Sequence, residues 1–281
     1  MWEPAARIVG GMTSSALPGE EPPSRRAALF PEGWLAIEGL VCGFGDRRAQ
    51  PPPGTLLLRR QVHGKDILDA AGEGARLVYE PGEDLPRMDA EADALIAATP
   101  ATVVGVRTAD CVPLLLVAPQ ARWAVAVHAG WRGTVAGIAT EAVKAARQAG
   151  IRPEELLAAL GPSIGPCCYE VSEELGDKFG RAGLPVQAPR GGSQPPERPW
   201  QPPSGVGAKP RLDLREANRV LLEQSGVPAR NVQLVGPCTR CSRDRYHSFR
   251  AEPESAGRQV SWIGWLDRED RRRARDRVPT R

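Results

Sequence analysis

Between Ala92 and Val127 the apolar residues come in short, dense runs, ADALIA, TVVGV, PLLLVAP and WAVAV, separated by turn-forming residues. Runs of this length and continuity predict the strands of a buried sheet. The turn Pro119-Gln120-Ala121-Arg122 makes the last two runs hairpin partners or neighbours. The period then changes. From Thr134 to Gln148, Val135, Ile138, Ala139, Ala142, Val143 and Ala146 recur at helical spacing and Gly150 closes the segment as a C-cap, which predicts a helix packed on that sheet. A second helix is expected from near Ser172, with Leu175 and Phe179 turned inward. A third starts at Asp213 as N-cap and carries Leu214, Ala217, Val220 and Leu221 before Gly226. NVQLV and QVSWIGWL read as late strands, and no segment repeats. The class this predicts is α/β, in one domain.

Composition adds boundaries to that picture. Of 281 residues, 30 are glycine and 28 proline, and many of them cluster. Residues 1–33 and 187–210 are rich in Pro, Gly, Ser and charge without an apolar period, so both are expected to be flexible, the second as a surface insertion in a domain spanning 34–267. A hydrophobic fraction of 41% and a charged fraction of 25% are those of an ordinary soluble protein. No apolar run approaches the roughly 20 residues of a membrane helix. The first residues interleave Pro, Gly and charge with their few apolar positions, unlike a secretory signal, so the expected compartment is the cytoplasm.

The net charge is +3, but the tail 268–281 alone carries +4 and leaves −1 for the rest. The basic balance is thus a property of a solvated terminus, and neither a nucleic-acid nor a membrane partner is expected. The expected assembly is a monomer or small homo-oligomer. Six cysteines without a secretory signal read as thiols or ligands, not as a disulfide framework.

Three histidines limit the possible chemistry. His128 ends WAVAV and opens HAGWRGT, where Gly130 and Gly133 let the chain turn sharply into a helix. The N–H groups of that turn, with Arg132 beside them, could hold a phosphate. Cys111 lies between two apolar runs in RTADCVPLLLV and is nucleophile, ligand or buried filler. His63 stands in RRQVHGKD beside a glycine. Two histidines and a cysteine at strand ends would make a three-donor set suited to zinc with an open fourth position, although gaps of 48 and 17 residues form no motif. The same donors fit a mononuclear copper, which is the less favoured metal, and Cys111 with His128 as base would fit a metal-free cysteine hydrolase. Asp110 and Glu170 stand next to cysteines and either orient a ligand, handle protons or form turns.

In order, QVHG, TADCVPLLL, HAGWRGT, GPSIGPCCYEV, CTRC and HSFRAE followed by Gly257-Arg258 resemble the motifs of the YfiH family, also called the multicopper polyphenol oxidase or laccase-domain family. The resemblance runs from about Gly39 to Leu266 and implies a β-sandwich-like, four-layer α/β fold with 34–267 as the catalytic domain. It implies a zinc-dependent purine nucleoside phosphorylase for adenosine, inosine and 5′-methylthioadenosine, with adenosine deaminase activity, its metal on His63, Cys111 and His128. Purine nucleoside and phosphate are the implied partners. Arg47, in a GFGDR segment similar to the family's GFSTR, becomes a candidate for catalysis and phosphate binding beside Arg132, Gly130 and Gly133. Between Arg47 and Gln61 the chain departs from the family, with a short Pro-rich stretch where a longer Asn-containing one is expected. The family's name also admits an accessory role in peptidoglycan-precursor editing. A multicopper centre does not fit a chain with three histidines. Cys238 and Cys241 have CxxC spacing, but with only His247 and Cys167-Cys168 of suitable type to complete a four-ligand site, they are read as thiols lining or supporting the pocket.

Overall fold

A computed structural model of the chain describes residues 28–72, 76–79, 85–187, 209–267 and 269. In chain order its strands are β1 (Ala28–Leu29), β2 (Leu40–Gly45), β3 (Leu56–Arg60), β4 (Ile67–Asp69), β5 (Leu77–Val78), β6 (Arg87–Glu91) and β7 (Ala94–Ala97). They continue with β8 (Val103–Thr108), β9 (Val112–Ala118), β10 (Trp123–Ala129), β11 (Leu157–Leu160), β12 (Val232–Leu234) and β13 (Gln259–Trp265). The α-helices are α1 (Trp131–Val135), α2 (Ile138–Gln148), α3 (Glu173–Arg181) and α4 (Leu214–Gln224). The strands form two sheets, one ordered β1-β2-β13-β8-β3-β6-β5 and the other β12-β11-β9-β10-β7-β4.

The continuous apolar runs are explained by where β9 and β10 lie: every residue of both strands is buried, because the sheet that holds them is covered on two faces. Side chains alternate strictly between those faces. Val112, Leu114, Leu116 and Ala118 of β9 and Trp123, Val125, Val127 and Ala129 of β10 pack against Ile138, Ala139, Ala142, Val143 and Ala146 of α2, Phe179 of α3 and Leu214, Ala217 and Leu222 of α4. The intervening Leu115, Val117, Ala124 and Ala126 pack against Phe44, Leu58, Val104, Val106 and Ile263 of the seven-stranded sheet. The α/β sandwich expected from the sequence is therefore present. Its helices lie on the six-stranded side, while on the outer face of the other sheet only a small cluster around Ala28, Val103 and Trp262 is seen among the described residues.

Local signals place the helices where the sequence put them, with one change. Ser172 and Asp213 cap α3 and α4, the first accepting from Leu175 N and the second from Arg215 N and Glu216 N. The helix expected from Thr134 is instead two, because Gly137 takes a left-handed φ of 83° and breaks the path between α1 and α2. The core also begins earlier than residue 34, since Ala28 and Leu29 pair with Gly45 and Phe44. Residues 1–27, 188–208 and 270–281 lie outside the described residues, and with them nearly all of the predicted flexible segments and the tail. At the insertion the chain leaves and returns at one point, where Gln187 and Arg211 exchange backbone hydrogen bonds of 2.9 Å. No helix among the described residues is long and apolar enough to cross a membrane.

Candidate metal and catalytic site

The hairpin β9–β10 explains how two distant motifs meet. Its register sets Val112 opposite Ala129 and Pro113 opposite His128, so Cys111, just before β9, faces the turn at Gly130. His63 arrives from the loop between β3 and β4, and β4 runs parallel to β7 at the edge of the same sheet. One donor atom each from His63, Cys111 and His128 lies within 4.8 Å of the others. The two imidazoles meet edge to face with centroids 4.7 Å apart. Gly130 is needed for this approach, since a Cβ there would stand 2.9 Å from His63 Cδ2 and 3.1 Å from Cys111 Sγ. Gly133 has the same kind of duty: its Cβ would lie 2.7 Å from the Gly64 carbonyl oxygen. These two predicted phosphate-loop glycines thus serve close packing around the donors.

The residue that organises the site is Asp93, which the sequence reading did not single out. It is fully buried just before β7, and its Oδ1 lies 2.8 Å from His128 Nδ1. The same carboxylate accepts His63 N at 2.9 Å and Gly64 N at 2.6 Å. Those bonds hold His63 at φ 61°, a left-handed conformation that is costly for a residue with a side chain. With Nδ1 engaged by Asp93, His128 presents Nε2 to the site, the arrangement by which carboxylates orient metal-binding imidazoles. Burial works against the charged form of Asp93, yet the bonds from His128 and Gly64 prevail and hold its carboxyl below the usual range. Burial likewise opposes charge on Cys111, but hydrogen bonds and charge from His128 and His63 bring the thiol down to about 6. His128 moves the other way, up to about 9, because Asp93 and Cys111 outweigh its burial. Without a metal, the site therefore holds a thiolate beside an imidazolium.

The donors open on a cleft of about 710 Å³. Arg59, Arg60, Arg107, Arg132, Arg250 and Arg258 line it, together with Trp131, Tyr169 and Phe249. Arg59 and Arg60 are paired with Asp89 and Glu91, whereas Arg132 lies over the Trp131 ring at 4.8 Å. Burial, then the nearby Cys111 charge, push the Tyr169 phenol up to about 12. Asp110, beside Cys111, is a buried hub: it accepts Thr239 Oγ1 at 2.6 Å, Ser248 Oγ at 3.1 Å and Arg250 N at 2.7 Å. Its left-handed φ of 87° aims the chain into β9. Glu170 pairs with Arg211 at 3.3 Å, outside the donor set. Arg47 is not brought into the cleft, because its guanidinium donates to the Tyr246 carbonyl at 3.1 Å. His247 stands apart as well, against Gly257 and Gln259.

The donor set fits a single ion. Two imidazoles and a thiolate, one imidazole oriented by a carboxylate and all facing an open cleft, are a three-ligand site with room for one more group. A cluster of several coppers does not fit, since only two of the three histidines of the chain are at the site.

The chain is 36% identical over 211 residues to purine nucleoside phosphorylase YlmD of Geobacillus stearothermophilus, covering 73% of this chain and 70% of that protein. It is 36% identical over 176 residues to adenosine deaminase RL5 of an unknown prokaryotic organism, covering 61% of each. The crystal structure of YlmD from G. stearothermophilus superposes with a TM-score of 0.65 at 28% identity, over 82% of this chain and 93% of that one. Residues 46–266 match the family described as multi-copper polyphenol oxidoreductase laccase, and the chain belongs to that family.

Proposed function

We propose that this chain is a zinc-dependent purine nucleoside phosphorylase acting on adenosine, inosine and 5′-methylthioadenosine, and that the same site deaminates adenosine. The observation that carries the reading is the convergence of His63, Cys111 and His128 at a cleft lined by arginines and aromatic rings. Relatives named for phosphorolysis and for adenosine deamination support an enzyme of this kind.

Each part of the cleft has a task in this reading. Arg132 and its neighbouring cations hold the phosphate by charge-assisted hydrogen bonds. Helix α1, five residues long, adds little to that. Trp131, Tyr169 and Phe249 offer flat apolar faces to the base. His63, Cys111 and His128 hold the ion, and Asp93 fixes the His128 ring. When bound, the ion supplies Lewis acidity at its open position. In phosphorolysis a phosphate oxygen bonds to C1′ of the ribose as the bond from C1′ to N9 breaks, and the purine leaves with that electron pair and a proton. In deamination the oxygen of water adds at C6 and ammonia departs. Neither reaction needs an oxidant or a reductant.

The test is chromatographic. Zinc-loaded protein and its Cys111→Ala variant are incubated with adenosine, with and without phosphate, and adenine and inosine are quantified. Phosphate-dependent adenine that vanishes in the variant is the expected result, and no product under either condition refutes it. The thiolate–imidazolium pair at Cys111 and His128 favours one second reading, a cysteine hydrolase. Under that reading, alkylation of Cys111 is as fast with zinc as without it.

A further inference from the structure

Four cysteines outside the cleft converge from two loops. Cys167 and Cys168 follow β11, and Cys238 and Cys241 follow β12. One Sγ from each lies within 4.8 Å of the others. Cys241 Sγ is 3.6 Å from Cys167 Sγ and 3.4 Å from Cys168 Sγ. A disulfide would require a separation of about 2.05 Å. Four thiolates at about 2.3 Å from one tetrahedral ion stand about 3.8 Å apart, close to what is seen. The backbone around the sulfurs is arranged for thiolates as well, since Gly165 N donates to Cys238 Sγ at 3.2 Å. Thr239 N donates to the Ser163 carbonyl at 3.0 Å and ties the two loops beside the cluster.

We infer that Cys167, Cys168, Cys238 and Cys241 form a second metal site, a structural tetrahedral-thiolate centre for Zn²⁺, separate from the donors of the cleft. The sequence offered a CxxC pair with only His247 and Cys167-Cys168 as candidate partners, and supporting thiols were the favoured reading. The fold supplies the missing two from the adjacent pair 167–168, and His247 is not among them. A soft, four-sulfur tetrahedral set selects zinc over the hard cations, and closing all four positions leaves no place for substrate. Coordination releases the thiol protons to solvent and moves no electrons.

The position gives the centre a purpose. Cys168 precedes Tyr169 in the cleft wall, and Cys238 precedes Thr239, whose hydroxyl holds Asp110 beside Cys111. A zinc staple there fixes both loops against the catalytic hairpin.

The experiment measures metal content of the full chain in a His63→Ala/His128→Ala background, which removes two of the three donors of the cleft. One zinc per chain is expected to remain, and to be lost when Cys238→Ser and Cys241→Ser are added. Zinc content that is absent from the background, or unchanged by the two serine substitutions, overturns the inference. A second measurement needs no variant: wild-type protein is alkylated with iodoacetamide before and after zinc is stripped, and peptides are mapped by mass spectrometry. Protection of all four cysteines by zinc, released by the chelator, supports the centre. A disulfide joining Cys241 to Cys167 or Cys168, or alkylation indifferent to zinc, overturns it.

Discussion

Replacing Asp93 by asparagine removes one charge and one acceptor from the point on which the site turns. The wild-type carboxylate serves three donors: His128 Nδ1 and His63 N on Oδ1, and Gly64 N on Oδ2. In Asp93→Asn the amide oxygen can still serve the first pair, but its NH₂ group then faces the Gly64 N–H, donor against donor. A buried donor left unmade costs about 1–3 kcal/mol. For a domain of this size each kcal/mol moves Tm by about 2–4 °C, so a loss near 2 kcal/mol lowers it by about 4–8 °C. Loss of the carboxylate that orients a metal-bound imidazole weakens metal binding by about 10–100-fold. The assay is a competitive zinc titration against a chromogenic chelator, run beside thermal unfolding of the metal-free protein. The two readouts separate the effects, because an unoriented His128 lowers affinity whereas an unpaired Gly64 N–H lowers Tm. An unchanged zinc affinity together with an unchanged Tm would refute the role given to Asp93.

Three further outcomes are expected. Gly130→Ala has an unstrained backbone, at φ −77° and ψ 173°, so its effect is steric: the new methyl displaces His63 and Cys111. It should cost about 1–3 kcal/mol and most of the activity, with a wild-type metal content and full activity the result that speaks against it. In metal-free protein, iodoacetamide labelling of Cys111 should fall as pH drops through about 6 and stay level above it, since the thiolate is the reactive form. A midpoint near that of an ordinary thiol would contradict the thiolate–imidazolium pair. Arg132→Ala should raise KM for phosphate about tenfold or more, as expected for one lost charge-assisted hydrogen bond, while Tm barely moves because the side chain is exposed. Unchanged phosphate kinetics would take Arg132 out of the site.

What the sequence disclosed depended on how local the cause was. Strands β9 and β10 and the inner faces of α2 and α4 were legible because burial on two faces, or along one stripe, writes a period into a single stretch of chain. Strands β2 and β11 escaped notice: LVCGFG and LAAL are short, and their pairing with β13 and β9 is set far away in the chain. The split between α1 and α2 was written in Gly137 but masked by the apolar period running across it.

The site divides in the same way. Cys111 and His128 could be suspected from their places at the two ends of one hairpin, since a register that pairs Val112 with Ala129 follows from a tight turn at 119–122. His63 is brought to them by the parallel pairing of β4 with β7, which no local pattern announces. Asp93 was hidden for a related reason. Between Ala92 and Ala94 it is one acidic residue in an apolar run, and that was the available signal, because a charge buried among apolar residues has to be paired. Its partner is His128, 35 positions away, and the register of β7 with β10, which sets Ala94 against Val127, is what brings them together. The thiol cluster repeats the lesson: two cysteine pairs, each ambiguous alone, become a four-sulfur set only when β11 and β12 run parallel and their following loops meet. Sequence spacing can nominate donors on one hairpin, but a set assembled from three or more loops is a product of sheet order, and sheet order is decided by the whole core.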